Sequence, residues 1–382
     1  MKIITTLPMS PRDNAELGFY LLPFIADIIG RCLKTDVVFP INHLGKKAKT
    51  ASQINEYLEI LRQLGINPIN IWIDSDPVNL IFARETIEKA IEEKWIVTET
   101  RIVYQCECGK TNFLDEQENF QSGGFQRKVY EIKDGEAICM ACQTIARATQ
   151  RLCLLLNLPV EKISLKILPE YAAKEGRELL KFLQDKQLLI SKNKLSGITV
   201  DTSKGQFQVD VDFFWMIFLA SLKKYGFSVY TLLCGHKTIK HALLAFLMAQ
   251  RIGVEVPKYI IAIPYLNIDF GNNKHLLANR LLEEQEQLAI RYFLATTLAA
   301  KSKEVVLQSR LLYWISHSIR VDLDKFITSD TESEINIENL IAHYNQQRFQ
   351  SILANLRKNK ISSLSNLDKK LVKIILSRGV IL

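Results

Sequence analysis

The hydrophobic and polar positions of this chain alternate between two periods over much of its length. Residues 2–8, KIITTLP, form an unbroken β-rich run of the kind found in a buried parallel strand. A turn region, PMSPRDNAE, and a helical stretch, LGFYLLPFIADIIGRCLK, come after it. DVVFPIN predicts a second strand, and TASQINEYLEILRQLG a helix with a Thr/Ser start and a Gly stop. INIWID predicts a third strand, and DPVNLIFARETIEKAIEEKW a long helix with proline in its first turn. Strands alternating with helices imply βαβ units and a parallel sheet. The pattern breaks near Val103, where short strands, glycines and paired cysteines suggest an inserted module. Residues 145–195 are mixed, with a helix around AAKEGRELLKFLQDKQ. The α/β pattern returns with FSVYTLLCG, a helix from TIKHALLAFLMAQRIG and the strand KYIIAIPY, and from about Leu281 the chain reads as almost wholly helical. FFWMIFLASL is too short to span a bilayer and reads as a buried helix. There is no internal repeat and no low-complexity run.

Composition narrows this only slightly. A chain of 382 residues has room for two or three domains, and 48% hydrophobic with 24% charged residues is ordinary for a globular protein. A net charge of +8 suits an anionic partner, and equally suits solubility alone. The opening MKIITTLPM is cut by Pro8 before it reaches the length of a signal sequence. A cytoplasmic protein with no membrane partner is expected. Its seven cysteines are then metal ligands or buried thiols rather than disulfides.

Four of those cysteines carry chemistry by spacing. Cys106 and Cys108 form C-x-C ahead of Gly109, and Cys139 and Cys142 form C-x-x-C. Two such pairs on tight turns, separated by a strand-rich hairpin, match a zinc ribbon. Zinc takes four thiolates in a closed tetrahedron, so the role expected is structural. The alternative is four reduced thiols without metal. Cys32, Cys153 and Cys234 lie in apolar surroundings and are expected in the core.

Taken in order, the segments resemble a class I aminoacyl-tRNA synthetase, most closely the methionyl type, from the N-terminus to about Thr297. TTLP resembles the family's opening, and Glu16-Leu17-Gly18-Phe19 stands at the distance of its His-x-Gly-His motif. FIADIIGR is similar to the family's next helix. VVFPINHLGKKAK is similar to a shortened second strand and turn, keeping His43 and Gly45. RETIEKAIEEKW precedes the cysteine module as the family's helix precedes its metal insertion, and SGITVDTSKGQFQVDVDFFW is similar to the return into the catalytic fold. LLCGHKTIKHALLAFLMAQRIGVEVPKYIIAIPYLNID is the strongest stretch. The resemblance implies an α/β fold: a Rossmann-like catalytic domain in two halves (1–103 and 201–289), a connecting insertion (104–200) with a zinc ribbon (104–145), and a C-terminal helical domain (290–382). It implies ATP with Mg as cofactors, an amino acid or small carboxylate as substrate, and tRNA as a partner. The second family signature, Lys-Met-Ser-Lys-Ser, falls in FGNNKHLLAN, where Lys274 or His275 would stand for the catalytic lysine.

The departures bear on mechanism. Adenylate formation builds negative charge on phosphate, and each donor aimed at that charge is worth roughly 3 kcal/mol. Glu16 carries the wrong charge for that task and Phe19 cannot donate. Gly18 still permits close approach of a ligand, or serves tight packing. Arg12 would offset Glu16. His236, Lys237, Lys240 and His241 form a basic cluster in which Lys237 and His241, like His236 and Lys240, are spaced i, i+4. That cluster is either a phosphate or acidic-substrate site or a solvated helix start. His43 and Lys46 are further candidates. Asp210, Asp212 and Trp215 fall where the family places its amino-acid pocket, and a buried helix explains Trp215 equally. Asp74 and Asp76 are expected to cap the next helix rather than bind metal.

From Ile290 onward 14 Lys+Arg against 8 Asp+Glu give +6. This is charge suited to RNA or to a solvated face. Tyr313, Trp314, Tyr344 and Phe349 are the aromatics there that base recognition would need, or that a core would use.

Three readings stand at this point. The first is an ATP-dependent ligase that forms an adenylate and passes it to tRNA or another acceptor. The second is a catalytically degenerate paralogue that binds nucleotide, RNA or a protein. The third is an ATP-independent enzyme using a pre-activated aminoacyl donor, with Glu16 as base.

Overall fold

The computed structural model describes residues 1–44, 50–114, 129–158, 164–183, 186–191, 197–269, 284–299, 302–318, 336–358 and 360–377. The first half of the sheet is built as the apolar runs predict. Strand β1 (Lys2–Thr6) leads through a short 3-10 turn (Leu17–Tyr20) into α1 (Leu21–Leu33). Then come β2 (Asp36–Ile41), α2 (Ala51–Gln63), β3 (Asn70–Ile73) and α3 (Pro77–Glu92). A capping box between Thr50 and Gln53 starts α2, and Pro77 occupies the first turn of α3.

The middle of the chain forms a second, antiparallel system. Strand β4 (Ile96–Gln105) pairs along its whole length with β8 (Arg147–Asn157). Between them sit β5 (Thr111–Asn112) and the hairpin of β6 (Tyr130–Lys133) and β7 (Glu136–Cys139). Strand β9 (Lys166–Leu168) then joins the parallel sheet and leads into α4 (Glu170–Leu183). Strand β10 (Gln187–Leu189) pairs back on β8, and the hairpin of β11 (Gly197–Thr202) and β12 (Gly205–Asp210) leads into the buried α5 (Asp212–Leu222).

The second half of the sheet is β13 (Ser228–Gly235), α6 (Ile239–Ile252) and β14 (Tyr259–Ile263). Strand order is β3-β2-β1-β13-β14-β9, and every pair is parallel. Successive side chains take opposite faces: Ile3, Leu232 and Ile260 pack with α3 to α6, whereas Ile4, Leu233 and Ile261 pack with α1 and α2. This is a doubly wound, Rossmann-like sheet, with its topological switch between β1 and β13.

Beyond the sheet lie β15 (Tyr265–Asp269), α7 (Glu284–Ala295), β16 (Glu304–Gln308), α8 (Ser309–Ser318), α9 (Ile337–His343), α10 (Gln346–Arg357) and α11 (Asn366–Leu376). Among the described residues the helical character expected here holds except at β16, where EVVLQ pairs in parallel with β15. A β-branched pair and a partner already in place outweigh helical surroundings. These helices share one hydrophobic core with α1 and α2, running from Ile4 to Leu376.

Two arginines fasten that contact. Arg291 of α7 is fully buried and donates to the carbonyls of Ile375 (2.5 Å), Ile374 (3.3 Å) and Leu64. Arg31 of α1 donates to Gly65 (2.5 Å) and Ser377 (3.2 Å) and pairs with Asp27 at 3.0 Å. Between them they serve the carbonyl-rich ends of α2 and α11, where cations are favoured. Burial pushes the Asp27 carboxyl up, and Arg31 and Arg291 pull it back.

Candidate functional site

In a doubly wound sheet, ligands approach the C-terminal ends of the strands at the switch point. Here that edge is made by the segments leaving β1, β13 and β2. The segment after β1 stays extended, with the Leu7 N–H on Leu233 O (2.8 Å), Met9 N–H on Pro40 O (2.8 Å) and Asn42 N–H on Met9 O (2.7 Å). It delivers Arg12, Glu16, Gly18 and Phe19 to the edge.

Glu16 opens the 3-10 turn with an extended backbone, and its carbonyl accepts from Phe19 N–H at 2.9 Å. Phe19 is half-buried in an aromatic group: its ring centroid lies 5.3 Å from Tyr20 and 6.0 Å from Tyr57, edge-on to both. The Arg12 guanidinium sits over the Phe19 ring at 5.0 Å, a cation–π arrangement. Burial pushes the Tyr20 and Tyr57 hydroxyls well above their ordinary range, so both stay neutral. Gly18 meets β15. A Cβ there would lie 2.8 Å from the Leu266 carbonyl oxygen, so the glycine permits a backbone approach. That contact is the packing alternative for Gly18, and it ties the turn to the strand leading into residues 270–283. Lys274 and His275 lie outside the described residues, as does Lys46.

The basic cluster lies just past β13. Lys237 is exposed, with its ammonium 3.9 Å over the Tyr265 ring. His236, Lys240 and His241 are buried, at 9%, 4% and 7% exposure, so they are not a solvated helix start. His236 Nε2 lies 3.4 Å from Glu175 Oε2, and burial pulls its pKa below the ordinary histidine value against the opposing pull of Glu175. The His241 ring meets Trp215 edge-on at 5.2 Å. Asp210 is buried at the end of β12, its Oδ1 accepting from Asp212 N–H at 3.4 Å.

At the end of β2, His43 Nδ1 lies 2.6 Å from Ser75 Oγ. Asp74 is fully buried and accepts from the backbone N–H groups of His43 (2.8 Å) and Leu44 (3.1 Å). Its role is to hold the loop after β2 rather than to cap α3. Burial raises its pKa to about 6, with those backbone donors opposing. Asp76 does occupy the N-cap position of α3, without a side-chain hydrogen bond there.

The cysteines come together as their spacing predicts. All four sulfurs lie within 4.8 Å of one another, with Cys108–Cys139 at 3.7 Å and Cys106–Cys142 at 3.1 Å. A tetrahedron with Zn–S near 2.3 Å has edges of about 3.8 Å, so the donor set fits that metal. Each pair rides a tight turn: Gly109 N–H donates to Cys106 O and Gln143 N–H to Cys139 O, and Gly109 and Gln143 take positive φ of 80° and 59°. The Thr144 hydroxyl, then the Cys106 thiol, pull Cys142 down to about 6. Cys32, Cys153 and Cys234 are buried, as expected.

Of the four C-terminal aromatics, Tyr344 and Phe349 are core residues, Trp314 packs half-buried against that core, and Tyr313 is exposed. Among the described residues no helix is long and apolar enough to cross a membrane. Sequence reading missed Glu175, Lys303 and Tyr57, each an ordinary residue in an ordinary helix or turn, with no local signal to mark it.

No protein-family profile matches the chain, and no curated sequence does. Solved structures do match. The methionyl-tRNA synthetase of Mycobacterium tuberculosis in complex with methionyl-adenylate aligns at a TM-score of 0.63 and 14% identity, over 98% of this chain and 88% of that chain. A second structure of it bound by methionyl-adenylate gives 0.60 at 13%, over 98% and 88%, and its free state gives 0.60 at 14%, over 98% and 86%. The likeness is one of fold: the chain carries the architecture of a methionyl-tRNA synthetase, and its chemistry has to be argued from its own residues.

Proposed function

We propose that this chain is a synthetase-like ligase that uses ATP to activate an amino acid or small carboxylate as an adenylate at the switch-point edge, then passes the acyl group to tRNA or another amine or hydroxyl acceptor. The observation that carries this reading is the near-complete coverage of a methionyl-tRNA synthetase fold that holds methionyl-adenylate. In this reading Gly18 and the turn after β1 border the nucleotide, with Arg12 balancing Glu16. His236, Lys237, Lys240 and His241 border the ligand from the β13 side, and Lys274 or His275 supplies the second-signature cation. The parts divide as 1–103, 104–200, 201–289 and 290–382, and Cys106, Cys108, Cys139 and Cys142 hold a structural zinc that fastens the ribbon. ATP with magnesium would supply the adenylyl group, with pyrophosphate as the group that leaves, and the chain's own task is to orient the two and shield them from water.

A second reading is favoured by Phe19. Its place in the Tyr20–Tyr57–Arg12 group makes it a packed residue, where a catalytic position calls for a donor. The chain would then bind nucleotide, RNA or protein without adenylation, or take a pre-activated donor with Glu16 as base. Pyrophosphate exchange across a panel of amino acids separates the two. Exchange with any of them supports the ligase, and none in the wild type or in the Glu16→His/Phe19→His variant overturns it. The double substitution restores two donors, each worth about a hundredfold or more in rate.

A further inference from the structure

Glu175 of α4 reaches the same edge, and its Oε2 faces two basic groups at once: Lys303 Nζ at 2.5 Å and His236 Nε2 at 3.4 Å. Lys303 stands just ahead of β16 and is 60% exposed. His236 is nine-tenths buried under the Tyr171 ring, at 5.7 Å, and its Nδ1 has no hydrogen-bond partner among the described residues. Lys237, over the Tyr265 ring, is tied to the same place because Tyr265 N–H donates to Lys303 O at 2.9 Å. The sheet, α4 and the segment before β16 therefore converge on one carboxylate, with the Lys303 ammonium on it and the Lys237 ammonium over the neighbouring Tyr265 ring.

The groups that face His236 are Glu175 and Tyr171 from α4, Lys303 from the segment before β16, and Lys237 from its own turn. Burial and the two lysines hold the imidazole neutral, and only Glu175 favours its protonation. The Tyr171 hydroxyl, raised by burial, stays neutral. In this state Lys303 is the one charged partner among these groups within ion-pair distance of Glu175.

We propose that Lys237, Lys303, Glu175 and His236 form an anion-receiving site for a phosphate- or sulfate-class oxyanion, in which the anion draws Lys303 off Glu175 and His236 takes its place by accepting a proton from solvent. An exposed lysine paired to one carboxylate gives up little when it turns to a dianion. The carboxylate left behind is no longer shared, and its pull on the imidazole rises while the repulsion from Lys303 falls. The anion-bound state thus holds more protons than the free state between the two pKa values of His236. Affinity rises as pH falls through that window, by at most about tenfold per pH unit for one proton. The site does not depend on carboxylate activation and would persist in a chain that only binds.

Sulfate, which does not titrate near neutrality, is the probe. Calorimetric titration at constant ionic strength, in buffers of different ionisation enthalpy between about pH 6 and pH 8, is expected to show saturable binding with net proton uptake. Lys303→Met, an exposed change, is expected to weaken sulfate binding about tenfold and to leave adenosine binding unaltered. His236→Asn should hold sulfate affinity at the wild-type level of about pH 8 across the whole range and lose the buffer dependence. Absence of saturable sulfate binding in the wild type, equal affinity in Lys303→Met, or proton uptake that persists in His236→Asn would each overturn the proposal. Adenosine binding, measured in parallel, reports separately on the nucleotide reading.

Discussion

The cysteine ribbon and the switch-point edge are two sites built by opposite means. In the ribbon, four donors within 37 positions of sequence are folded together by two tight turns, and among the described residues the buried core around them is Val129, Tyr130, Ala137 and Ala146. At the edge, Arg12, Phe19, His43, Glu175, His236 and Lys303 come from segments far apart in the chain, and each is placed by a strand end or a helix of a large core. With the proposed zinc, the ribbon would depend on its chemistry for its structure, because so small a core does not hold itself together. The edge depends on its structure for its chemistry. Removing one residue should therefore have opposite consequences in the two places.

The largest effect is expected at the ribbon. Removing the metal with a chelator, or Cys139→Ser, should abolish bound zinc and open residues 104–146 to proteolysis while the parallel sheet keeps its amide protection. Metal analysis together with hydrogen exchange checks this, and a ribbon that stays protected without metal would break the contrast. Next comes Arg291→Met. It leaves the carbonyls of Leu64, Ile374 and Ile375 buried without their donor and should cost about 3–5 kcal/mol in a denaturant melt.

Gly18→Ala is expected to cost less, about 1–3 kcal/mol, because backbone rather than a flexible side chain must give way at Leu266. It should also weaken ATP binding, since the same turn borders the proposed ligand. A pH dependence of comparable upper size completes the series. Asp74 has a folded pKa raised to about 6 from an ordinary 3.8. A raised carboxyl favours the folded state fully below the unfolded value, and that contribution is lost as pH rises toward 6. Asp74→Asn should flatten the stability curve between about pH 4 and pH 6, by up to about 3 kcal/mol, as read from melts across that range.

The same contrast explains what the sequence made legible. The ribbon ligands could be read from spacing alone, since C-x-C and C-x-x-C set the local geometry that brings sulfurs together. The strands β1, β2, β13 and β14 were legible as buried apolar runs, because a sheet covered on both faces needs them. Strand β9 was not, since KIL is three residues long and is a strand only because β14 offers it an edge. Glu175 and Lys303 were invisible for the same reason: their meeting is decided by β9, α4 and β16, not by their neighbours in sequence. The fully buried Arg291 ran against expectation for its type, and the two helix ends it serves, with Asp27 beside them, account for it. Tyr313 could not be separated from Trp314, Tyr344 and Phe349 by spacing. Packing of α8 and α10 sorted them.

The claim that matters most is that the edge between β1 and β13 receives an adenosine nucleotide. Hydrogen exchange of the full chain with and without saturating ATP and magnesium tests it directly. The account predicts slowed exchange in residues 7–20 and 235–241. Exchange that is unchanged in both segments, or slowed only elsewhere, would contradict it.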